Sequence, residues 1–199
     1  MGNFVAKLDR RSRLLSEFNT WYYNRRIWVL SRQLAQAIPS RGQVLDIGCG
    51  DWQLALALMR LRPDLKVEGV DIVPRVRTLV PVTQYDGVSL PFEDKSVDYV
   101  TIVDVLHHTE DPKIVLAEAA RVARQGVVIK DHLREGLLAQ EMLSFMDWFG
   151  NLGDGVPMPY NFLSRDEWRE AFDRTGLVTE STPRSSLTSL PPRPICGCG

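Results

Sequence analysis

The sequence predicts a doubly wound α/β fold, in which a mainly parallel sheet carries helices on both faces. Two observations favour this fold. From Gln43 onward, short apolar runs alternate with helical stretches, and these runs are nearly continuous in apolar residues, as in strands that are covered on both faces. The 199 residues, 44% of them hydrophobic, fit a single domain with a substantial core.

Strands are predicted at residues 43–47, 66–70, 82–85, 97–103, 126–130 and 177–180. Helices are predicted between them at residues 52–60, 74–78, 111–123, 137–149 and 164–175. The last of these helices has a capping box, because Ser164 is followed three residues later by Glu167. Gly176 is then expected to end it.

The N-terminal segment has the period of a helix. Apolar residues recur there at steps of three and four, which predicts one or two amphipathic helices before the first strand. We therefore divide the chain into an N-terminal helical extension or lid (1–42), an α/β domain (43–181) with an inserted acceptor or lid segment (133–162), and a Pro/Ser-rich tail (182–199).

Charge is distributed unevenly along the chain. The net charge is −1, yet residues 1–43 carry eight Lys and Arg against two Asp and Glu. A basic segment favours an anionic acceptor, a lipid surface or RNA, although a solvated basic helix face has the same composition. The overall charge gives no support to DNA binding and little to RNA binding.

The cellular compartment of the protein is predicted from features that the sequence does not contain. No apolar run approaches the length of a membrane span, and the N-terminus opens polar and basic without a signal peptide. The three cysteines form an odd set and are expected to be reduced thiols. We expect a cytoplasmic protein.

A glycine-rich turn follows the first predicted strand and suits a nucleoside ligand. Gly48 and Gly50 allow the backbone to approach a ligand closely, and Asp71 ends the next strand at a spacing where an acid can accept hydrogen bonds from ribose hydroxyls. Asp46 and Asp51 flank the turn and disfavour phosphate. The turn therefore favours a cationic adenosyl ligand over NAD.

Four motifs in this order resemble the class I S-adenosylmethionine-dependent methyltransferases, in particular the enzymes that methylate small molecules, lipids or quinones. The motifs are Val44-Leu45-Asp46-Ile47-Gly48-Cys49-Gly50, Val70-Asp71-Ile72, Tyr85-Asp86-Gly87 before Leu90-Pro91-Phe92, and Val97-Asp98-Tyr99-Val100 running to Leu106-His107-His108. The resemblance covers roughly residues 43–180 and implies a Rossmann-like fold with S-adenosyl-L-methionine as cofactor. Relatives usually add a final antiparallel strand, which we expect to be absent or displaced here because the tail is rich in proline.

The resemblance implies roles for residues at the first two motifs. Asp46, Gly48 and Gly50 would border the amino-acid end of the cofactor, and Asp71 would hold the ribose diol. For Asp46, capping of a strand end is the alternative interpretation.

The resemblance also implies that three residues contact the adenine of the cofactor and that one lies near its methionyl part. Ile72 would pack on the adenine, and Asp86 would accept a hydrogen bond from its amino group with Gly87 alongside. Val103 would lie near the methionyl part. A plain turn is the alternative for Asp86 and Gly87.

Histidines are the candidate bases. Methyl transfer is an in-line displacement that needs mainly alignment and exclusion of water, but a hydroxyl acceptor benefits from a base. His107, His108 and His132 all follow predicted strands, and we predict catalytic roles for His132 and His107; a turn-capping role is the alternative. No metal site is predicted, because Asp104 lacks further ligands at suitable spacing.

The acceptor is expected to be small or lipid-like. Aromatic residues are concentrated in the insert and in the N-terminal helices, where Trp21, Tyr22, Tyr23 and Trp28 are predicted to line the acceptor. This suits an apolar pocket under a lid, although ordinary core packing has the same composition. We predict a methyltransferase. The alternative is a catalytically weak or inactive S-adenosylmethionine-binding module that supports a partner subunit, and a homo-oligomer is compatible with either.

Overall fold

The computed structural model describes residues 2–73, 78–136, 138–150 and 159–178, and side chains are considered outside 2–16, 18 and 145–150. The helices are α1 Gly2–Ala37, α2 Gln53–Leu61, α3 Pro112–Val122, α4 Ala139–Gly150 and α5 Arg165–Thr175, with a 3-10 turn at Leu106–His108. The strands are β1 Gly42–Ile47, β2 Leu65–Asp71, β3 Val82–Gln84, β4 Val97–Val103 and β5 Ala123–Lys130.

The five strands form one parallel sheet in the order β3-β2-β1-β4-β5. Val44 of β1 is paired with Val67 of β2 on one side and with Tyr99 of β4 on the other. The predicted doubly wound fold is therefore confirmed for the described residues. Because the strand order reverses at β1, the crevice outside its carboxyl end is where a ligand is expected.

Two apolar clusters cover the two faces of the sheet. Val44 is buried in a cluster with Leu34 of α1, to which α2 also contributes. The next residue, Leu45, faces the opposite cluster, which contains Leu116 of α3 and Phe172 of α5. This alternation is the period of a strand buried on both faces. It holds β1 rigidly in the centre, so that its carboxyl end is a fixed platform.

The N-terminal extension is one continuous helix, where one or two were predicted. Its 36 residues run from Gly2 to Ala37, and its C-terminal half contributes Leu30, Leu34 and Ala37 to the core. Among the described residues, no helix is both long enough and apolar enough to cross a membrane.

The capping box on α5 is confirmed, but the strand predicted after it is not seen where the chain is described. Gly176 takes a left-handed conformation with φ 69°, and the Leu177 amide donates to the Phe172 carbonyl at 3.0 Å. This amide therefore closes the helix end and is not free for a sheet ladder. Residues 179–180 of that predicted strand lie outside the described residues, as do 74–77, 151–158 and the 182–199 tail.

Candidate cofactor and acceptor site

The glycine turn after β1 needs its two glycines for different reasons. Both have positive φ, +67° at Gly48 and +53° at Gly50. A Cβ on Gly48 would lie 2.5 Å from Cγ2 of Val105, whereas a Cβ on Gly50 would meet nothing within 4 Å. Gly48 is thus required for packing against the β4 exit. Gly50 leaves open space where a ligand can approach the backbone.

Asp71, at the end of β2, accepts a hydrogen bond from this turn. One carboxylate oxygen accepts from the Gly50 amide at 2.8 Å, and the other accepts from the Val73 amide at 2.9 Å. The structure therefore brings together two residues that were predicted to share a ligand. Each oxygen keeps a lone pair for a further donor, which suits the two hydroxyls of a ribose.

Asp46 is a buried carboxylate at the carboxyl end of β1. It is 5% exposed and accepts a hydrogen bond from the Thr101 hydroxyl at 2.6 Å. Burial raises its pKa to about 6, with Thr101 opposing that rise and the charge of Asp71 adding to it. A cation placed beside Asp46 and Asp71 would relieve this unfavourable burial of negative charge, so the residues present fit a positively charged adenosyl ligand.

The residues predicted for the adenine form an exposed corner beside Asp71. Ile72 is 40% exposed, and its Cγ2 lies 3.4 Å from where a Cβ on Gly87 would stand. Asp86 accepts from the amides of Val88 and Ser89 at 2.8 and 2.7 Å, and these bonds lower its pKa. The geometry of Asp86 is that of a turn-capping residue, and its contact with adenine stays a prediction.

An ionic cluster lies at the exit of β4. Val103 ends the strand at 8% exposure, and Asp104 follows with φ 55°. Asp104 forms an ion pair with Lys130, lies 2.6 Å from Nη2 of Arg26 and lies 3.6 Å from Nε2 of His132. Burial alone would raise the pKa of Asp104, but the three basic groups hold it well below its usual range.

A histidine and carboxylate pair lies next to this cluster, at the exit of β5. Nδ1 of His107 is 2.6 Å from Oδ1 of Asp131, and His107 is 2% exposed. Asp131 also accepts from the amides of Leu106 at 2.8 Å and His132 at 2.6 Å. The His107 ring stacks on Phe162 with centroids 4.9 Å apart. Asp131 thus fixes the positions of both predicted catalytic histidines.

The two histidines differ in what they can reach. The His132 side chain is 35% exposed, and its pKa is lowered by burial and by Lys130, against the opposing effect of Asp104 and Asp131. A lowered pKa keeps His132 neutral at pH 7, the form that accepts a proton. His107 is enclosed, so its position suits support of His132 more than contact with an acceptor.

Helix α1 lies across this edge and makes two polar contacts there. The Tyr23 hydroxyl donates to Asp51 in the glycine turn, and Arg26 pairs with Asp104. Of the four aromatic residues of α1 predicted to line the acceptor, Trp21, Tyr22 and Trp28 are each more than half exposed. The extension thus meets the site mainly through polar side chains, which the aromatic content of the sequence did not indicate.

Three functional candidates were missing from the predicted site: Arg26, Lys130 and Asp131. Asp104 was considered only as a metal ligand. Lys130 and Asp131 directly end or follow β5, so their position at a strand end was an available signal. Arg26 gave none, because it meets Asp104 across 78 residues of sequence. In the part of the chain that the structure describes, no group of three or more His, Cys, Asp or Glu could hold a metal ion.

The chain is similar to known methyltransferases. Residues 45–129 match the family model described as a methyltransferase domain. Demethylmenaquinone methyltransferases of Staphylococcus aureus strains are 29% identical over 139 residues, covering 64% of this chain and 55% of their own length. The chain therefore spans about half the length of these curated relatives.

Solved structures share the fold. The YcgJ protein from Bacillus subtilis superposes with a TM-score of 0.63 at 25% identity, covering 77% of this chain and 70% of that one. The PH0226 protein from Pyrococcus horikoshii superposes with a TM-score of 0.63 at 19% identity, covering 88% and 90%. A Thermotoga maritima structure described as an S-adenosylmethionine-dependent methyltransferase, possible histamine N-methyltransferase, gives a TM-score of 0.56 at 21% identity and covers 94% and 91%.

Proposed function

We propose that this chain, whose residues 45–129 match the methyltransferase-domain family model, is a class I S-adenosylmethionine-dependent methyltransferase and that it methylates a small quinol-type aromatic acceptor. The observation that carries the proposal is that two strand exits lie on the same edge of the sheet, one strand apart. The acidic glycine turn follows β1, and neutral, partly exposed His132 follows β5, with only β4 between them. A cofactor on the first exit and an acceptor near the second would lie side by side.

The cofactor would be held by the turn and its carboxylates. We assign Gly48, Gly50 and Asp46 to its amino-acid end and Asp71 to its ribose. When bound, S-adenosylmethionine supplies a methyl group on a positively charged sulfur. The buried charge of Asp46 supports this assignment, because its ionised form gains most from a cationic neighbour.

The acceptor class rests on chemistry and on the curated relatives. Their name specifies methylation of demethylmenaquinone, whose reduced form carries two phenolic hydroxyls on an aromatic ring. A phenolic hydroxyl becomes a better electron donor as it loses its proton. A neutral histidine beside the acceptor serves that purpose, and His132 is the histidine we assign to it.

The residues around His132 would assist removal of the acceptor proton and hold the two histidines in position. His132 Nε2 would accept the acceptor proton, and the charges of Asp104, 3.6 Å away, and of Asp131 would favour the resulting imidazolium against the opposing effects of burial and Lys130. Asp131 would hold the backbone of His132 and the ring of His107 in place. Helix α1 would exclude water from one side of the edge, since Tyr23 and Arg26 bind it there.

The test is a product assay with the full chain, S-adenosylmethionine and a reduced demethylated naphthoquinol. We expect adenosylhomocysteine and a methylated quinol in equal amounts by mass spectrometry, with little product from the oxidised quinone. Turnover of a different acceptor class in preference to the quinol would overturn the acceptor assignment. Cofactor binding without turnover of any acceptor would favour the non-catalytic binding module.

A further inference from the structure

One face of α1 points away from the core and carries alternating tryptophan and arginine. Trp21, Arg25, Trp28 and Arg32 follow each other at steps of four, three and four, which places them on one side of the helix. We call these four residues the Trp/Arg stripe. Trp21 is 58% and Trp28 52% exposed, and both arginines are exposed. Leu34, on the opposite side of the helix, is buried in the core.

The stripe has the chemistry of an interfacial surface. Tryptophan combines a large apolar ring with an N–H donor and prefers the boundary between lipid and water. Arginine places its aliphatic stem along apolar surface and its charge in the headgroup region. The guanidinium of Arg32 lies 4.4 Å from the centre of the Trp28 ring, so the two side chains already share one surface.

Charge distinguishes this helix from the rest of the chain. Within α1, seven Lys and Arg stand against Asp9 and Glu17, a net charge of +5, whereas the whole chain carries −1. The rest of the chain is therefore acidic and would be repelled by an anionic surface, so α1 would be the part that approaches such a surface. We propose that the Trp/Arg stripe docks the protein on an anionic lipid surface, with α1 lying parallel to the membrane plane.

Shape favours a membrane over RNA as the occupant. The two tryptophans lie about 10 Å apart along a straight helix, with an exposed arginine between them, which suits a flat interface. Single-stranded nucleic acid is usually bound in a basic groove with stacking platforms, whereas this stripe lies on a convex helix. The opposite side of α1 reaches the sheet edge through Tyr23 and Arg26. If the proposed function also holds, docking would bring a lipid-soluble acceptor within one helix diameter of the site.

Co-sedimentation of the full chain with vesicles tests the proposal without any need for activity. Vesicles of phosphatidylcholine containing phosphatidylglycerol are compared with phosphatidylcholine alone, each at low and high salt. We expect binding to the anionic vesicles that weakens with salt. Trp21→Ala/Trp28→Ala and Arg25→Glu/Arg32→Glu should each weaken binding by about tenfold or more.

The matched control is Arg169→Glu/Arg174→Glu on α5, which makes the same change of charge on the helix that covers the other face of the sheet. Both arginines are exposed, at 67% and 63%, and this variant should bind vesicles like the wild type. Every variant should still bind S-adenosylmethionine, which separates loss of docking from loss of the fold or of the cofactor site. Absence of binding to anionic vesicles, equal binding to neutral ones, or binding of an RNA oligonucleotide in preference to vesicles would overturn the proposal.

Discussion

The two halves of the sheet edge are built in different ways. After β1 and β2, the site consists of backbone amides, two glycines and carboxylates, and Asp71 meets the Gly50 amide at 2.8 Å. After β4 and β5, it consists of side chains from α1, β5 and the loops, which meet at Asp104 and Asp131. The first half therefore depends on backbone conformation. The second depends on side-chain identity and can change without altering the fold.

The electrostatics of the halves differ as well. In the first half, Asp46 and Asp71 receive hydrogen bonds from a hydroxyl and from backbone amides, so their negative charge remains available to a cation. In the second half, Asp104 already forms ion pairs with Arg26 and Lys130. This difference suits a cationic cofactor in one half and an uncharged acceptor in the other.

The largest effect is expected from His132 in the second half. His132→Gln should lower turnover of a hydroxyl acceptor by about 10²–10⁴-fold, because the proton acceptor is removed. Cofactor affinity should be unchanged, as measured by calorimetry on the same preparation. Turnover within a few-fold of the wild type would remove His132 from the mechanism.

A pair of glycine variants tests the backbone character of the first half. Gly48→Ala should lower the free energy of unfolding by about 2–4 kcal/mol, because a methyl group there meets Val105 and positive φ is unfavourable for alanine. Gly50→Ala has the φ cost but open space, and should lose about 1 kcal/mol. Chemical denaturation measures both variants, and equal losses would contradict the different roles given to the two glycines.

Asp71→Ala tests cofactor recognition directly. The variant should bind S-adenosylmethionine about 10–100-fold more weakly, since hydrogen-bond acceptors for two hydroxyls are lost, a cost of about 1–3 kcal/mol. Asp64→Ala is the control, because Asp64 pairs with Arg62 on the surface. An Asp71 variant that is folded and binds as tightly as the control would refute the assignment.

The smallest effect is a pH dependence from Asp46. Its pKa is raised from 3.8 to about 6 in the free protein, and the ionised form is the one that favours a cationic ligand. Cofactor affinity should therefore rise with pH between about 5 and 7, being up to about tenfold weaker at pH 5. Titration calorimetry across this range should show the rise in the wild type and a flat profile in Asp46→Asn.

Stability should change in the opposite direction over the same range. Because the folded state raises the pKa of Asp46, the folded protein holds its proton at pH values where the unfolded chain has lost it. The contribution of Asp46 to the free energy of unfolding should therefore fall as pH rises from 3.8 to about 6. Denaturation of Asp46→Asn and wild type at several pH values isolates this contribution, and a stabilisation that grows with pH would contradict it.

The two halves also differ in how well the sequence predicted them. Strands and glycine turns are encoded locally, so β1, β2 and β4, the capping box on α5 and the Gly50–Asp71 approach could all be predicted. Residues 45–129 match the methyltransferase-domain family model, which supports the family and the cofactor inferred from the same motifs. Roles of individual side chains toward the cofactor and acceptor stay predictions.

Contacts made through folding were harder to foresee. Arg26 reaches Asp104 because α1 lies across the sheet edge, a tertiary contact that the periodicity of the sequence does not encode. Leu177 looked like the start of a strand from its apolar neighbours, yet its amide closes the end of α5. In both cases a tertiary or capping interaction outweighed the local pattern.

Calorimetric titration of S-adenosylmethionine into the wild-type chain at pH 7.5, beside the Asp71→Ala and His132→Gln variants, tests most directly whether the two halves of the sheet edge have separate roles. If the cofactor binds only at the first half, the wild type should show saturable binding at one site per chain. Affinity should be lost in Asp71→Ala and should equal that of the wild type in His132→Gln. Absence of binding to the folded wild type, or equal loss of affinity in both variants, would contradict these separate roles.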